Sequence, residues 1–405
     1  MSRDIPSFEE TCMPTEVVIV NGARTPMGEY NGALRDHTEI ELGAIAAKAA
    51  LARSEIKPST IQHVIMGNAQ QTSGNAVYGA RHVSLKAGIP IEVPALTVNR
   101  LCGSGIQSIV SGAQLIQLGE AETVVAGGME NMSQAPHVIR GLRVGLRLGD
   151  GKLEDSLTVA LMDNFCGLMM AQTADLLARE KGITRQASDL FALRSQQLGA
   201  AAQASGKFKD EIIPIELTRR GKTTIFDTDD HPRPETTLEG LAKLPAVFGT
   251  ELVTAGNASG IVDGAAAVVV SSADRARREG LRCLGRVVAW HYEGVEPRIM
   301  GIGPVVAIRG VLRKAGLTLK EIDLLEINEA FAAQYLAVEK ELGLDRERVN
   351  VNGGAVALGH PLGATGTRIT LTLLLELRRR KARYGVASAC IGGGQGIALL
   401  VEAVA

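Results

Sequence analysis

The sequence predicts an α/β fold made of two halves that each run β-α-β-α-β-α-β-β. Short apolar runs alternate with amphipathic stretches of helical period. The same order of elements returns after residue 283, as an internal duplication of pattern with little residue identity. Between Asn131 and Gly260 the alternation breaks, which marks an insertion into the first half. A chain of 405 residues is long enough for two or three domains with substantial cores.

The first half opens on a strand over Glu16–Val20 and a helix over Thr38–Arg53. That helix begins with a capping box, Thr38-x-x-Glu41, in which each side chain satisfies the other's backbone donor. A strand over His63–Met66, a helix over Val77–Ala87 and a strand over Ala95–Val98 follow. The turn at Cys102 then leads into a helix of small residues, Ser104–Leu118. Strands over Thr123–Ala126 and Ala265–Val270 close the set. The second half begins with a strand over Leu284–Trp290 and a helix over Pro304–Ala315, with proline in its first turn and Gly316 past its end. Next come a strand over Ile322–Ile327, a helix over Ala330–Leu342, a strand over Arg348–Val351, the turn at His360, a helix over Ala364–Arg380, and strands over Gly385–Ala389 and Ile397–Val401. The insertion reads as a lid or partner-binding excursion, with helices near Met170–Lys181 and Ser188–Ser205, a basic stretch Arg140–Arg147 and a turn-rich Asp227–Pro234.

Composition narrows the function. Lysine plus arginine (43) balances aspartate plus glutamate (44) and aromatics are 3 %, which argues against nucleic-acid binding. No apolar run approaches the roughly 18 residues of a membrane span. The five cysteines (12, 102, 166, 283 and 390) are scattered without a C-x-x-C pair, so neither a disulfide framework nor a zinc site is expected. The polar, acidic Met1–Glu10 carries no leader pattern, and the reading is a cytoplasmic protein, or an organelle-matrix protein already stripped of its leader.

Three segments carry chemistry. In Asn99-Arg100-Leu101-Cys102-Gly103-Ser104-Gly105 a thiol sits where a strand gives way to a helix N-terminus, whose N–H groups favour a thiolate. A two-unit drop in pKa there corresponds to about 2.7 kcal/mol of thiolate stabilisation. In Gly359-His360-Pro361-Leu362-Gly363 the imidazole is stripped of neighbouring bulk and is the candidate base for Cys102. Cys390, before Gly392-Gly393-Gly394, is a candidate second acid/base, with the Gly392 N–H as an oxyanion donor. Asn328, in Asn328-Glu329-Ala330-Phe331, is either a helix cap or an amide that orders a water.

Taken together with Ala255-Gly-Asn-Ala-Ser-Gly260, these blocks resemble the thiolases, or acetyl-CoA acyltransferases, from about Glu16 to the C-terminus. The resemblance implies a thiolase fold in a layered α/β/α/β/α arrangement. It implies an N-terminal domain over residues 15–275 (core 15–131 and 261–275, inserted loop domain 132–260) and a C-terminal domain over 283–405. It implies that Cys102 is acylated, that Cys390 exchanges a proton with the substrate α-carbon or the CoA sulfur, and that His360 activates Cys102. His360 and a water on Asn328 would hold the thioester oxygen, and the N–H groups of Cys102 and Gly392 a second oxyanion.

For coenzyme A, which enters as a substrate and not as a permanently bound cofactor, the resemblance places Ser259 beside the pantetheine. It sets Met300 against that arm, Arg233 near the adenine and phosphate end, and Ala255 and Gly256 in the same binding segment. No metal is implied, and the expected partners are CoA thioesters and further copies of the chain in a homodimer or homotetramer, with the arm for the latter near Arg140–Lys152. Met169-Met170-Ala171 stands where thiolases specialised for acetoacetyl-CoA often carry His-Met-Gly; a flexible apolar group in place of a polar one is compatible with longer acyl chains, and a broad-range or medium-chain enzyme is as plausible as a dedicated acetoacetyl-CoA one. Val77–His82 looks like the mitochondrial-type 3-ketoacyl-CoA thiolases. The rival readings are a ketoacyl-synthase-type condensing enzyme, which lacks a second cysteine, and a non-catalytic acyl-CoA-binding subunit.

Overall fold

The computed structural model describes residues 15–404, so Met1–Glu10 and Cys12 lie outside it. Strands β1 (Val17–Arg24), β2 (His63–Gly67), β3 (Ala95–Val98), β4 (Thr123–Glu130), β5 (Val262–Ser272), β6 (Gly285–Gly294), β7 (Leu324–Ile327), β8 (Tyr384–Ile391) and β9 (Gln395–Ala403) form the main sheet. Their hydrogen-bonded order is β7-β8-β9-β6-β1-β5-β4-β2-β3. Counted outward from the junction, β1-β5-β4-β2 and β6-β9-β8-β7 use their strands in the same chain order. The arms join where β1 meets β6 antiparallel, through Val17–Val287, Val18–Arg286 and Ile19–Gly285.

The principal helices are α1 (Glu39–Arg53), α2 (Gly79–Lys86), α3 (Ser104–Gln117), α4 (Met170–Lys181), α5 (Arg185–Ala204), α6 (Gly303–Ala315), α7 (Ala332–Leu342) and α8 (Leu362–Arg380). Strand alternation sorts them into layers. On β5, Val268 and Val270 face a core built with Ile106 and Ile109 of α3, Ile369 and Leu373 of α8, and Leu399 and Val401 of β9. Val269 faces the other way, onto Ile40 and Leu42 of α1 and Val83 of α2. On the second arm, Leu325, Val386 and Leu400 are covered by Val305 and Ile308 of α6 and Tyr335 of α7. Helices α3 and α8 thus run between the two arms, giving α/β/α/β/α.

These two helices touch through glycine. A Cβ on Gly105 would lie 2.4 Å from the Thr367 nitrogen, and one on Gly366 2.3 Å from the Ile106 nitrogen. Thr367 Oγ1 then donates to the Gly105 carbonyl at 3.0 Å.

Some expected elements are corrected. The strand expected over Arg348–Val351 is a 3₁₀ turn at Arg346–Arg348 followed by a single bridge, Leu325–Val349. The cause is Asn350, whose backbone adopts φ +47° and whose side chain accepts from the Ile327 N–H (2.9 Å) and donates to the Ile327 carbonyl (2.8 Å), in place of a ladder. The helix expected from Val77 starts at Gly79, after a 3₁₀ turn over Ala76–Tyr78. Helix α5 of the insertion packs onto the second half, where its Phe191 stacks on Tyr335 of α7 with ring centroids 4.3 Å apart.

Candidate active site

Cys102 lies in a 3₁₀ turn, Leu101–Gly103, between β3 and α3. Leu101 adopts φ +46°, a strained conformation for a branched side chain. Its N–H donates to Asn99 Oδ1 at 2.9 Å, while Ser104 Oγ donates to its carbonyl at 2.7 Å. Cys390, fully buried near the end of β8, precedes the glycine turn into β9.

His360 follows Gly359, whose φ of +85° and close approach to Val262 exclude a side chain. The His360 N–H donates to the Gly260 carbonyl at 2.9 Å. Its Nδ1 lies 2.6 Å from Thr365 Oγ1, and that hydroxyl donates to the Pro361 carbonyl at 3.0 Å. With its one proton committed there, Thr365 accepts from Nδ1–H, which leaves Nε2 as the basic nitrogen. Asn328 Nδ2 lies 3.3 Å from Nε2, and Asn328 Oδ1 is buried without a partner among the described residues. Thr365 went unread in the sequence. It stands five residues after His360 with no motif to mark it.

Cys102, His360, Cys390, Ser259 and Met300 line one cavity. Its other walls are apolar and include Met132, Leu161, Met169, Met170, Phe248 and Phe331. Asn328 and Gly392 do not line it. They act on it through the His360 ring and through a backbone N–H aimed at the Cys102 sulfur. Arg233, Ala255 and Gly256 line a second, wider cavity with Glu29, His231 and Leu244. The chain from Ala255 to Gly260 supplies walls to both. Arg233 is more than half exposed and pairs with Glu29.

Burial dominates the electrostatics. Desolvation pushes the Cys102 thiol up to about 11, although the N–H groups of Gly392 and Cys102 act to lower it. The expected lowering of this thiol by the helix N-terminus is therefore overturned: stripping water from the sulfur outweighs two amide donors. Cys390 is raised further, by burial and then by the neighbouring Cys102 sulfur. His360 is pushed down to about 3 by burial and then by the Arg368 charge. At neutral pH these shifts favour neutral thiols and a neutral imidazole.

The chain carries the patterns of the thiolase N-terminal domain over residues 17–274 and of the thiolase C-terminal domain over residues 281–403. It is 55 % identical over 392 residues to the mitochondrial 3-ketoacyl-CoA thiolase of Homo sapiens, covering 96 % of this chain and 98 % of that protein. It is 49 % identical over 391 residues to the acetyl-CoA acetyltransferase of Cupriavidus necator, covering 96 % and 99 %. The crystal structure of the human mitochondrial enzyme superposes with a TM-score of 0.95 at 54 % identity, over 96 % of this chain and 99 % of that one. The same enzyme in complex with CoA superposes at 0.94, also at 54 % identity, over 96 % and 98 %. Matches of this extent leave one assignment: the chain belongs to the thiolase family.

Proposed function

We propose that this chain is an acetyl-CoA C-acyltransferase that cleaves 3-oxoacyl-CoA with free CoA and runs the reverse Claisen condensation. The observation that carries the reading is two thiols and one neutral imidazole sharing a single apolar cavity. Cys102 gives its proton to His360 Nε2 as its sulfur attacks the C3 ketone, whose oxygen takes up charge facing the N–H groups of Cys102 and Gly392. The C2–C3 bond breaks, and the acetyl-CoA carbanion takes the Cys390 proton. The protonated Nε2, with a water on Asn328 Oδ1, holds the enolate oxygen. Free CoA then gives its thiol proton to Cys390 and attacks the acyl-Cys102 carbonyl. Cys102 leaves and recovers its proton from His360, so that the cycle balances.

The nucleotide end of CoA lies in the cavity of Arg233, with the pantetheine passing Ala255, Gly256 and Ser259. Flexible Met169 and Met170 with Leu161 and Phe248 form an acyl site that accepts chains longer than acetoacetyl. Assembly is a homodimer. Strand β3 ends the sheet with Leu96 half exposed, beside exposed Val77, Tyr78, Ile91 and Leu118, an edge and apolar patch suited to a second copy.

The test is turnover of purified protein with CoA and a chain-length series of 3-oxoacyl-CoA, with the mass of the same preparation read by sedimentation. The expected outcome is a dimer-based species with activity beyond the four-carbon substrate, lost by about 10⁴-fold in Cys102→Ala. Full turnover in that variant refutes the nucleophile. Binding of acyl-CoA without thiolysis at any length favours the non-catalytic subunit.

A further inference from the structure

The two reactive turns belong to different halves, and one buried carboxylate ties them together. From the nucleophile, the Leu101 N–H donates to Asn99 Oδ1 at 2.9 Å, and Asn99 Nδ2 donates to the Ala69 carbonyl at 3.0 Å. The Ala69 N–H donates to Glu130 Oε2 at 3.0 Å. That same oxygen accepts the Gly363 N–H at 2.8 Å, in the first turn of α8 and three residues past His360. The other oxygen, Oε1, accepts the Gln70 N–H and Asn68 Nδ2, each at 2.9 Å.

Glu130 is fully buried at the end of β4, and its four partners are all N–H donors of neutral groups. Burial pushes this carboxyl up to about 8 against the lowering effect of the Gln70, Gly363 and Ala69 N–H groups, so every donor lost makes its buried charge costlier still. The surroundings enforce that geometry. A Cβ on Gly128 would lie 1.8 Å from the Gly363 carbonyl oxygen, and one on Gly67 2.7 Å from the Ser104 Cβ. The start of α8 is pressed onto the tips of β2 and β4 beside the nucleophile's own helix.

We propose that Glu130 and Asn99 are positioning residues that set the separation of the Cys102 thiol from the His360 imidazole and so govern proton transfer between them. The proposal rests on the roles given above to those two side chains. Neither positioning residue touches substrate. Displacing a reacting pair by about an ångström is enough to cost on the order of 100-fold in rate.

The test compares Asn99→Ala, Glu130→Gln and the double variant. Asn99 is exposed, so its variant folds even where Glu130→Gln does not. In Glu130→Gln an NH₂ at the Oε2 position faces the Ala69 and Gly363 N–H groups and breaks both links of the path, whereas at the Oε1 position it faces the Gln70 N–H and Asn68 Nδ2 and leaves the path standing, so the Gly363 exchange rate of that variant reports which orientation it adopts. The expected result for each single variant that cuts the path is kcat lower by about 10- to 100-fold with KM for the thioester within about twofold. The double variant is expected to be no slower than the slower single one, because both cut one path. Amide hydrogen exchange supplies a readout that needs no turnover: Asn99→Ala should quicken exchange at Gly363 as well as at Leu101. Effects that multiply, wild-type kcat in folded Asn99→Ala, or exchange that changes only at Leu101 would each overturn the link. Absence of turnover in the wild type would instead refute the proposed reaction and leave the exchange result standing.

Discussion

The Cys102 turn and the His360 turn occupy equivalent places in the two halves, each leading into one of the helices between the arms, yet they are held in different ways. The first follows a true strand, β3, that ends the sheet, and its cysteine is only partly covered. The second follows no strand at all. Asn350 brackets Ile327, and the fully buried Glu329 accepts from Ser195 Oγ (2.6 Å), Asn350 Nδ2 (2.8 Å) and the Val356 N–H (3.1 Å). His360 itself is 5 % exposed. A nucleophile has to be reached by a carbonyl carbon, whereas a base that must stay neutral is better kept dry. One scaffold serves both needs by keeping an edge strand in one half and trading it for polar brackets in the other.

Breaking the buried turn has the largest expected effect. His360→Asn keeps a polar side chain beside Asn328 and Thr365 but cannot take the thiol proton. Its kcat should fall by roughly 10²- to 10⁴-fold with KM for acyl-CoA little changed, as measured by steady-state kinetics. A fall confined to KM would mean that His360 binds substrate without moving a proton.

The contact that brings the turns together comes second. In Gly366→Ala the new methyl would sit 2.3 Å from the Ile106 backbone nitrogen, which no rotamer relieves. Overpacking against backbone is expected to remove about 3 kcal/mol and lower the thermal midpoint clearly below wild type. Gly74→Ala is the control, since nothing lies within 4 Å of that position, and its midpoint should stay put. Equal midpoints would show that α3 and α8 slide apart without penalty.

Much of this was legible in the sequence because it is written in local chemistry. Capping of α1 by Thr38 and Glu41 is settled within one turn of helix, and the bonds form as read, Thr38 N–H to Glu41 Oε2 at 2.9 Å and Glu41 N–H to Thr38 Oγ1 at 3.2 Å. The Cys102, His360 and Cys390 turns were visible because glycines mark places where backbone or ligand comes close. Residues whose role is set by distant partners stayed hidden. Glu130 lies beyond the strand expected over Thr123–Ala126 and in no motif, and its partners at 68–70 and 363 meet it only in the folded chain. Arg348–Val351 read as a strand because apolar and polar residues alternate there. What ended it was a side chain, Asn350, offering a hydrogen bond as good as the ladder's. The protonation state was misread for a related reason: a helix end acts locally, while desolvation sums over every neighbour.

That last point yields the smallest expected effect and the sharpest contrast between the turns. The thiol of Cys102 is raised to about 11 and the imidazole of His360 lowered to about 3, so at neutral pH the proton stays on sulfur. Thiolate should therefore be scarce in the ligand-free protein and increase about tenfold per pH unit until pH nears 11. The measurement is the ultraviolet thiolate absorbance of wild type minus that of Cys102→Ala, taken from pH 6 upward. If the two turns instead formed a thiolate–imidazolium pair at rest, the difference signal would already be full near pH 6 and flat above it. A rise confined to alkaline pH means that the proton moves only when a substrate carbonyl is there to take up the developing charge. The dry base then serves the reached nucleophile at the moment of attack and not before.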